Sequence, residues 1–438
     1  MQKNVIFIVC DCLRSDRIHD YRRELTPNID ELLDEAVYFE NAYTVGPNTP
    51  NSYPSIFGGI YPSETMGMNR IPQSIQTVPE IFENNGHRTI GLVEGNAWLS
   101  KFFDYDRGFG KLNSFLNFSS MHDAESLSNS NNRIWNIIER KIPKKIWSLM
   151  NYFFRFKDFI SSERRLERLF FKTVEQTLIN LEVPTFMWAH FMTTHYPLVP
   201  RIRNFSKRHN TRKVNSFQRS LGKLRDLYDD CVLSFDYYIG RTVEILKESG
   251  LFEDTILIIT SDHGELLREN YTLSHPSRCM FDEKLMKVPL IIKFDDSKIK
   301  GKINDLFSII GLFKPSIFNY LRLRRKNKKN IKKEKSFFRI KGNSLAINQN
   351  NYIFHEAREF QDAFTTLNQE HSKVRYYSVR NDKSCLFYDS KDKAYGKIGE
   401  LNRKSTNLLK NHISKSRKSR EKIRIKESVN EISIPCQG

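Results

Sequence analysis

An α/β fold is the class this sequence predicts: a central, mostly parallel sheet flanked by helices, with a smaller C-terminal α+β subdomain. Two observations carry the prediction. First, two apolar runs far apart in the chain each end abruptly in an acid. Asn4-Val5-Ile6-Phe7-Ile8-Val9-Cys10 stops at Asp11, and Ile258-Ile259-Thr260-Ser261 stops at Asp262, followed by His263, Gly264 and Glu265. Buried strands of a parallel sheet read as continuous apolar runs, and their C-terminal tips are where α/β enzymes gather ligand-binding groups. A strand ending in Asp is often only a turn or a helix cap. Two such tips could instead meet at one sheet edge and share one ion. Second, strand-like and helix-like stretches alternate, which is the pattern of βαβ units.

The elements follow in order. The strand at 4–10 gives way to a loop. Thr26-Pro27-Asn28-Ile29-Asp30-Glu31 then starts a helix, with proline and acids in its first turn. Val37 to Tyr43 reads as a short strand. Gly46 to Tyr53, rich in Pro, Asn, Ser and Thr, reads as a loop, and Ser55 to Gly59 as the opening of a helix. Thr77 to Asn85 is a helix closed by Gly86, with a strand at Thr89–Val93. Residues 112–175 are rich in Phe, Trp, Arg and Lys and read as a helical insertion packed with its basic faces to solvent; covering a site or lying on a membrane surface are its alternatives. Thr185 to Ala189 is a strand ending at His190. Tyr228 to Gly250 is a long amphipathic helix, Thr255 to Thr260 the strand that delivers Asp262, and Val288 to Lys293 a further strand. A catalytic domain over 1–345, with its insertion at about 112–180, precedes a C-terminal subdomain with a basic tail over 346–438.

At 438 residues, with 39% hydrophobic and 12% aromatic residues, the chain can bury a large core. Its net charge of +19 favours anionic partners. Some of that charge is clustered, since Arg322 to Lys335 holds nine basic residues and one acid. No nucleic-acid module accompanies it, and no nucleic-acid partner is expected. The six cysteines have no regular spacing, and Cys10 and Cys12 flank one strand end, so a disulfide framework is not expected. No apolar run approaches the roughly 20 residues that span a bilayer. With no signal peptide before the first strand, a cytoplasmic protein is expected, peripheral membrane contact remaining open. The oligomeric state is not legible.

Many ordered motifs resemble the sulfatase branch of the alkaline phosphatase superfamily. Asn4 to Asp16 is similar to that family's opening strand and metal loop, and Thr26-Pro27-Asn28-Ile29-Asp30 through Tyr43 to its next segment. Gly58-Gly59-Ile60-Tyr61-Pro62 looks like the helix end after the nucleophile. Gly250 to Thr255 leading into Ser261-Asp262-His263-Gly264-Glu265 is typical, as are Lys287 to Ile292 and, nearer the C-terminus, Phe354-His355-Glu356, Ser378-Val379-Arg380 and Leu386 to Asp389. The resemblance implies an alkaline-phosphatase-like fold. It also implies a divalent cation (Mn²⁺, Mg²⁺, Ca²⁺ or Zn²⁺) held by Asp11, Asp262, His263 and the nucleophile. Counting back from Gly59-Ile60-Tyr61-Pro62 makes Thr49 that nucleophile, with Ser52 as the competitor. No cysteine lies in this loop, which excludes a formylglycine made from cysteine. His195 and His275 match histidines that contact the transferred group, bind a second metal or protonate the leaving oxygen. Lys287 matches a basic residue that stabilises anionic oxygens, and Arg14, His190 and Asn96 are further substrate-binding candidates.

The chain also departs from the family pattern. Cys12 stands where many sulfatases have a second Asp, Tyr53 where an arginine is expected, and Thr193 where the histidine loop has an acid; the Gly-Lys-Trp-His element is missing. The implied activity is cleavage of a sulfate or phosphate ester through a covalent threonine intermediate, the substrate being an anionic ester, glycan- or lipid-linked in some relatives. Two alternatives remain: a phosphoglycerol- or phosphoethanolamine-type transferase, and a non-catalytic binding protein on the same fold.

Overall fold

The computed structural model describes residues 2–19, 23–65, 70–115, 164–208, 221–269, 272–296, 298–323, 338–341, 344–347, 352–358, 374–399 and 403–416. Its centre is a nine-stranded sheet. The strands of this sheet and its neighbours are β1 (Asn4–Cys10), β2 (Val37–Tyr43), β3 (Arg88–Val93), β4 (Lys111–Ser114), β5 (Thr185–Phe191), β6 (Thr255–Thr260), β7 (Leu266–Leu267), β8 (Leu273–Ser274), β9 (Lys287–Val288), β10 (Leu290–Lys293) and β11 (Gly301–Ser308). The sheet order is β11-β2-β10-β6-β1-β5-β3-β4, with β9 also on β2 and β7–β8 a separate hairpin. β4, β3, β5, β1 and β6 are all parallel. β10 alone runs against both of its neighbours, β6 and β2.

β1 lies at the middle, buried at every position. Successive side chains point to opposite faces. Val5, Phe7 and Val9 therefore enter one core layer with Phe57, Trp188 and Phe313, while Ile6, Ile8 and Cys10 enter the other with Phe191, Tyr228 and Phe235. The second layer is roofed by the helix Leu221–Glu248 and by a helix at 164–179. Register sets the functional edge: Val9 is level with Thr260 on one side and His190 on the other. The chain leaves all three strands within a few residues of that line.

Two elements differ from expectation. The stretch read as a loop, Gly46 to Tyr53, contains a helix from Thr49 to Tyr53. Asn48 caps it by accepting from Asn51 N, and Pro50 sits in the first turn, where a missing N–H costs nothing. Ser55 to Gly59 thus closes a helix, in a π-turn over Pro54–Gly58 that ends at left-handed Gly59, rather than opening one. The insertion, expected from 112, begins with an edge strand of the main sheet, β4; residues 116–163 of it lie outside the described residues, as does most of the basic run at 322–335.

Past the sheet, β12 (Phe338–Lys341) and β13 (Ser344–Ile347) form a hairpin that packs Phe338 on Phe39 and Phe307, straddling the boundary drawn at 345. β14 (Ile353–Ala357), β15 (Tyr376–Arg380), β16 (Cys385–Asp389) and β17 (Ala394–Ile398) form an antiparallel meander. The helix Arg403–Ser416 covers one face through Leu409 and Ile413. The other face joins Tyr43, Met280 and Met286 of the main body. Among the described residues no helix is long and apolar enough to cross a membrane.

Candidate active site

Asp11 follows β1 directly, its N–H bonded to Phe191 O at 2.8 Å, so the carboxylate is delivered on rigid backbone. Ser261 ties the second tip to the first: its hydroxyl lies 2.7 Å from Cys10 O and accepts from Leu13 N at 3.0 Å. Thr194 Oγ1 donates to Asp11 O at 2.5 Å and brings in the histidine loop. Gly264 is dictated by crowding. A Cβ there would stand 1.8 Å from Lys284 O, while Gly264 N donates to Leu285 O at 2.8 Å.

Asp11, Thr49, Asn96, His190, Asp262 and His263 converge, all buried. Asp11 Oδ2 accepts from Asn96 Nδ2 at 2.8 Å, His190 Nε2 at 3.2 Å and Thr49 Oγ1 at 3.3 Å. Asp11 Oδ1 and Asp262 Oδ2 have no hydrogen-bond partner among the described residues. Each lies 3.5 Å from His263 Nε2. His263 Nδ1 is 2.8 Å from Gly264 O and donates to it, so Nε2 carries the lone pair. Burial, then His275, lowers the His263 pKa to about 3 and keeps the ring neutral. Two carboxylate oxygens and one imidazole lone pair thus converge with no hydrogen-bond partner for either oxygen among the described residues. Such a set fits a divalent cation and is costly without one. Burial and the charge of Asp11 push the Asp262 carboxyl well up. Asp11 is held well down despite burial, by His195 and by the His190 hydrogen bond.

Thr49 Oγ1 lies 3.5 Å from His263 Nε2 and 3.3 Å from Asn96 Nδ2. Ser52, one turn on, donates to Thr49 O at 3.2 Å instead. Thr49 and Asn96 line a cavity of about 440 Å³ together with Asn48, Trp98, His195 and His275. His195, His275 and His263 form a file of rings running from the cavity inward, with centroids 5.5 and 4.6 Å apart. Burial opposes charge on His275, but Glu265, with Oε2 3.4 Å from Nδ1, outweighs it and raises the pKa.

Two residues expected at the site are not among those lining the cavity. The Arg14 guanidinium is buried against Asp16, at 2.6 and 2.8 Å, and against Glu269 at 2.8 Å, and does not line the cavity. Lys287 pairs with Tyr43 at the β9–β2 ladder and does not line the cavity either. Two others were not among the expected site residues. Tyr53 OH donates to His190 Nδ1 at 2.6 Å, which leaves the Nε2 hydrogen for Asp11. Tyr53 therefore braces Asp11 through an imidazole, in the position where an arginine was expected. Glu265 stands behind His275; its only mark in the sequence is its place after Asp262-His263-Gly264.

The sulfatase family model matches residues 3–319. A sulfatase of Formosa agariphila is 24% identical over 318 residues, which cover 62% of this chain and 60% of that protein. Two solved structures share the architecture. A phosphonate monoester hydrolase from Silicibacter pomeroyi superposes with a TM-score of 0.65 at 15% identity, covering 94% of this chain and 95% of that one. BT4656, in complex with its substrate D-glucosamine-2-N,6-O-disulfate, gives 0.64 at 15% identity, covering 95% and 97%. The matched stretches span less than two thirds of the first curated relatives' own length, at 19%, 45% and 60%.

Proposed function

The chain belongs to the sulfatase family, and from that premise we propose that it is a metal-dependent hydrolase of sulfate or phosphate esters with Thr49 as its nucleophile. The observation that carries the reading is the position of Thr49 Oγ1. It lies within 3.5 Å of Asp11, His263 and Asn96 at the floor of the cavity. Asp11, Asp262, His263 and Thr49 are the residues that would hold the divalent cation, which when bound lowers the hydroxyl pKa and offsets charge on the transferred group.

The chain's own residues do the rest. Asn96 donates to Thr49 Oγ1 and orients its lone pairs, and Asp11 Oδ2 is the acceptor toward which the hydroxyl hydrogen points. As the Oγ1–S or Oγ1–P bond forms, the ester bond to the leaving oxygen breaks on the opposite side. The charge on that oxygen develops toward His195 and His275. Water then displaces Thr49 from the covalent intermediate and returns the free hydroxyl. Among the described residues, none of those lining the cavity is an acid, a lysine or an arginine. That supports singly charged esters, a sulfate monoester or a phosphodiester, over the doubly charged phosphate monoester. The Trp98 face and the fold shared with BT4656 make sulfated sugars the first natural substrates to try.

Turnover of matched aryl sulfate, aryl phosphate and bis-aryl phosphodiester by metal-loaded protein tests the reading. Thr49→Ala is expected to lose more than about a thousandfold in kcat, and Ser52→Ala to stay within about tenfold of wild type. Full activity in Thr49→Ala would remove the nucleophile. Turnover that requires a glycan or lipid acceptor would move the protein to the transferases.

A further inference from the structure

We propose that the outer face of the helix at 164–179 is a docking surface for an anionic lipid bilayer, met through Arg165, Arg168, Lys172, Leu169 and Ile179. At 3.6 residues per turn these five positions share one arc of about 100°. All five are exposed, Leu169 at 51% and Ile179 at 63%. The cations stand three and four residues apart, the spacing at which like charges on a helix repel and cost stability. Among the described residues none of the three has an ion pair, whereas Glu175, on the flank of the same helix, pairs with Arg241. A solvated helix face ordinarily alternates charge signs at these spacings. Here an anionic partner would relieve the repulsion.

The positive charge extends past the stripe. Burial, then the charges of Arg203 and Arg168, lower the Arg164 pKa. The acid that the helix places among these cations, Glu167, turns inward, buried, and accepts from Tyr238 OH at 2.7 Å. Arg201 lies over the Tyr237 and Tyr238 rings at 4.7 and 5.8 Å and so flanks the helix. Phe170 packs on Phe191, the last residue of β5, and on Phe115, just past β4, with centroids 4.9 and 5.5 Å away. The cationic first half of the helix therefore lies at the sheet edge from which Asp11 and Asp262 project. The aliphatic side chains select the occupant. A sulfated glycan would pair with the cations and leave Leu169 and Ile179 in water, whereas a bilayer surface takes cations at its headgroups and aliphatic groups at the acyl boundary. Of the five large hydrophobic residues exposed among the described ones, Leu169, Ile179 and Val183 belong to this helix and the loop after it. The sequence leading into the helix has the same character: residues 133–160 carry seven Lys or Arg, two acids and seven aromatic residues. The proposal stands apart from the hydrolase reading; with it, the edge that carries the cavity would be held near the bilayer.

Sedimentation of the full-length protein with vesicles tests this, using phosphatidylcholine alone and an equal mixture of phosphatidylcholine and phosphatidylglycerol. Wild type is expected to bind the mixed vesicles and not the neutral ones, more weakly as salt rises. Each cation near an anionic surface is worth about fivefold in partition. The triple variant Arg165→Glu, Arg168→Glu, Lys172→Glu should therefore bind at least about a hundredfold more weakly, and the matching glutamine variant should fall between it and wild type. The double variant Leu169→Ser, Ile179→Ser should lose about tenfold for vesicles and elute from immobilised heparin with wild type. All these positions are exposed, so each variant should keep the wild-type Tm, which separates lost binding from lost folding. Wild type that stays in solution with the mixed vesicles would overturn the proposal. So would charge-reversed protein that binds them undiminished, since the contact would then lie on other basic segments. A double serine variant that binds vesicles like wild type, with heparin displacing both, would make the face a general polyanion site and sink the lipid assignment. None of these readouts uses turnover, so an inactive protein would leave the test intact.

Discussion

At the scale of single residues, Asp11 divides its labour between two oxygens. Oδ2 takes three hydrogen bonds and Oδ1 none. That division depends on Tyr53, which sets the tautomer of His190. Tyr53→Phe keeps the packing against Trp188 and Phe57 but removes the donor. Its expected effect is a loss of about 10- to 100-fold in Mn²⁺ affinity with the fold intact, read by calorimetric titration; unchanged affinity would leave Tyr53 a packing residue only. A second expectation concerns pH. Burial and Asp11 raise the Asp262 pKa, and a cation has to displace that proton. Affinity should therefore rise with pH across the range in which Asp262 loses its proton, by up to about tenfold per unit, and a pH-independent Kd would contradict this. Asp11, Asp262 and His263 were legible because apolar strands announce where they end. Tyr53 and Glu265 were not, because their value arises only where the Thr49–Tyr53 helix meets β5 and the turn after β6 meets His275. Arg14 misled for the same reason: a guanidinium beside a metal loop reads as an anion ligand until Asp16 and Glu269 are seen to occupy it.

Among the elements, the turn that follows β6 is the least tolerant. Adding one methyl at Gly264 collides with the Lys284 carbonyl, which belongs to backbone and has no side-chain rotamer to retreat into. Gly264→Ala is expected to destabilise by about 3 kcal/mol or more, with a lower Tm and weakened metal binding together; a variant with wild-type Tm would show that this approach can relax. The central strands were readable from their apolar runs. The Thr49–Tyr53 helix was not, since Pro, Asn and Ser read as a loop unless Asn48 is recognised as the cap and Pro50 as first-turn. β4 escaped notice because a short, half-exposed edge strand such as Lys-Leu-Asn-Ser carries no periodic pattern. It is a strand because β3 offers it a ladder.

For the molecule as a whole, a net charge of +19 acts on approach rather than at the cavity wall. Turnover of a multiply sulfated oligosaccharide should fall several-fold in kcat/KM between low and physiological salt, since the Debye length shrinks from about 30 to 8 Å between 0.01 and 0.15 M. A small aryl sulfate should change little. Equal salt dependence for both would show that the surface charge does not steer substrate. The centre of the sheet has a further consequence. β1 is flanked by β5 and β6, partners drawn from residues 185–191 and 255–260. Asp11 and His263 are therefore brought together only by pairings that close loops of well over a hundred residues, the slow kind of contact in folding. No early intermediate holding only the first part of the chain contains the donor set. On the proposed metal reading, cation capture during refolding would be a clock for the closing of the sheet's middle, and a partly folded chain released earlier would lack the donor set that captures it.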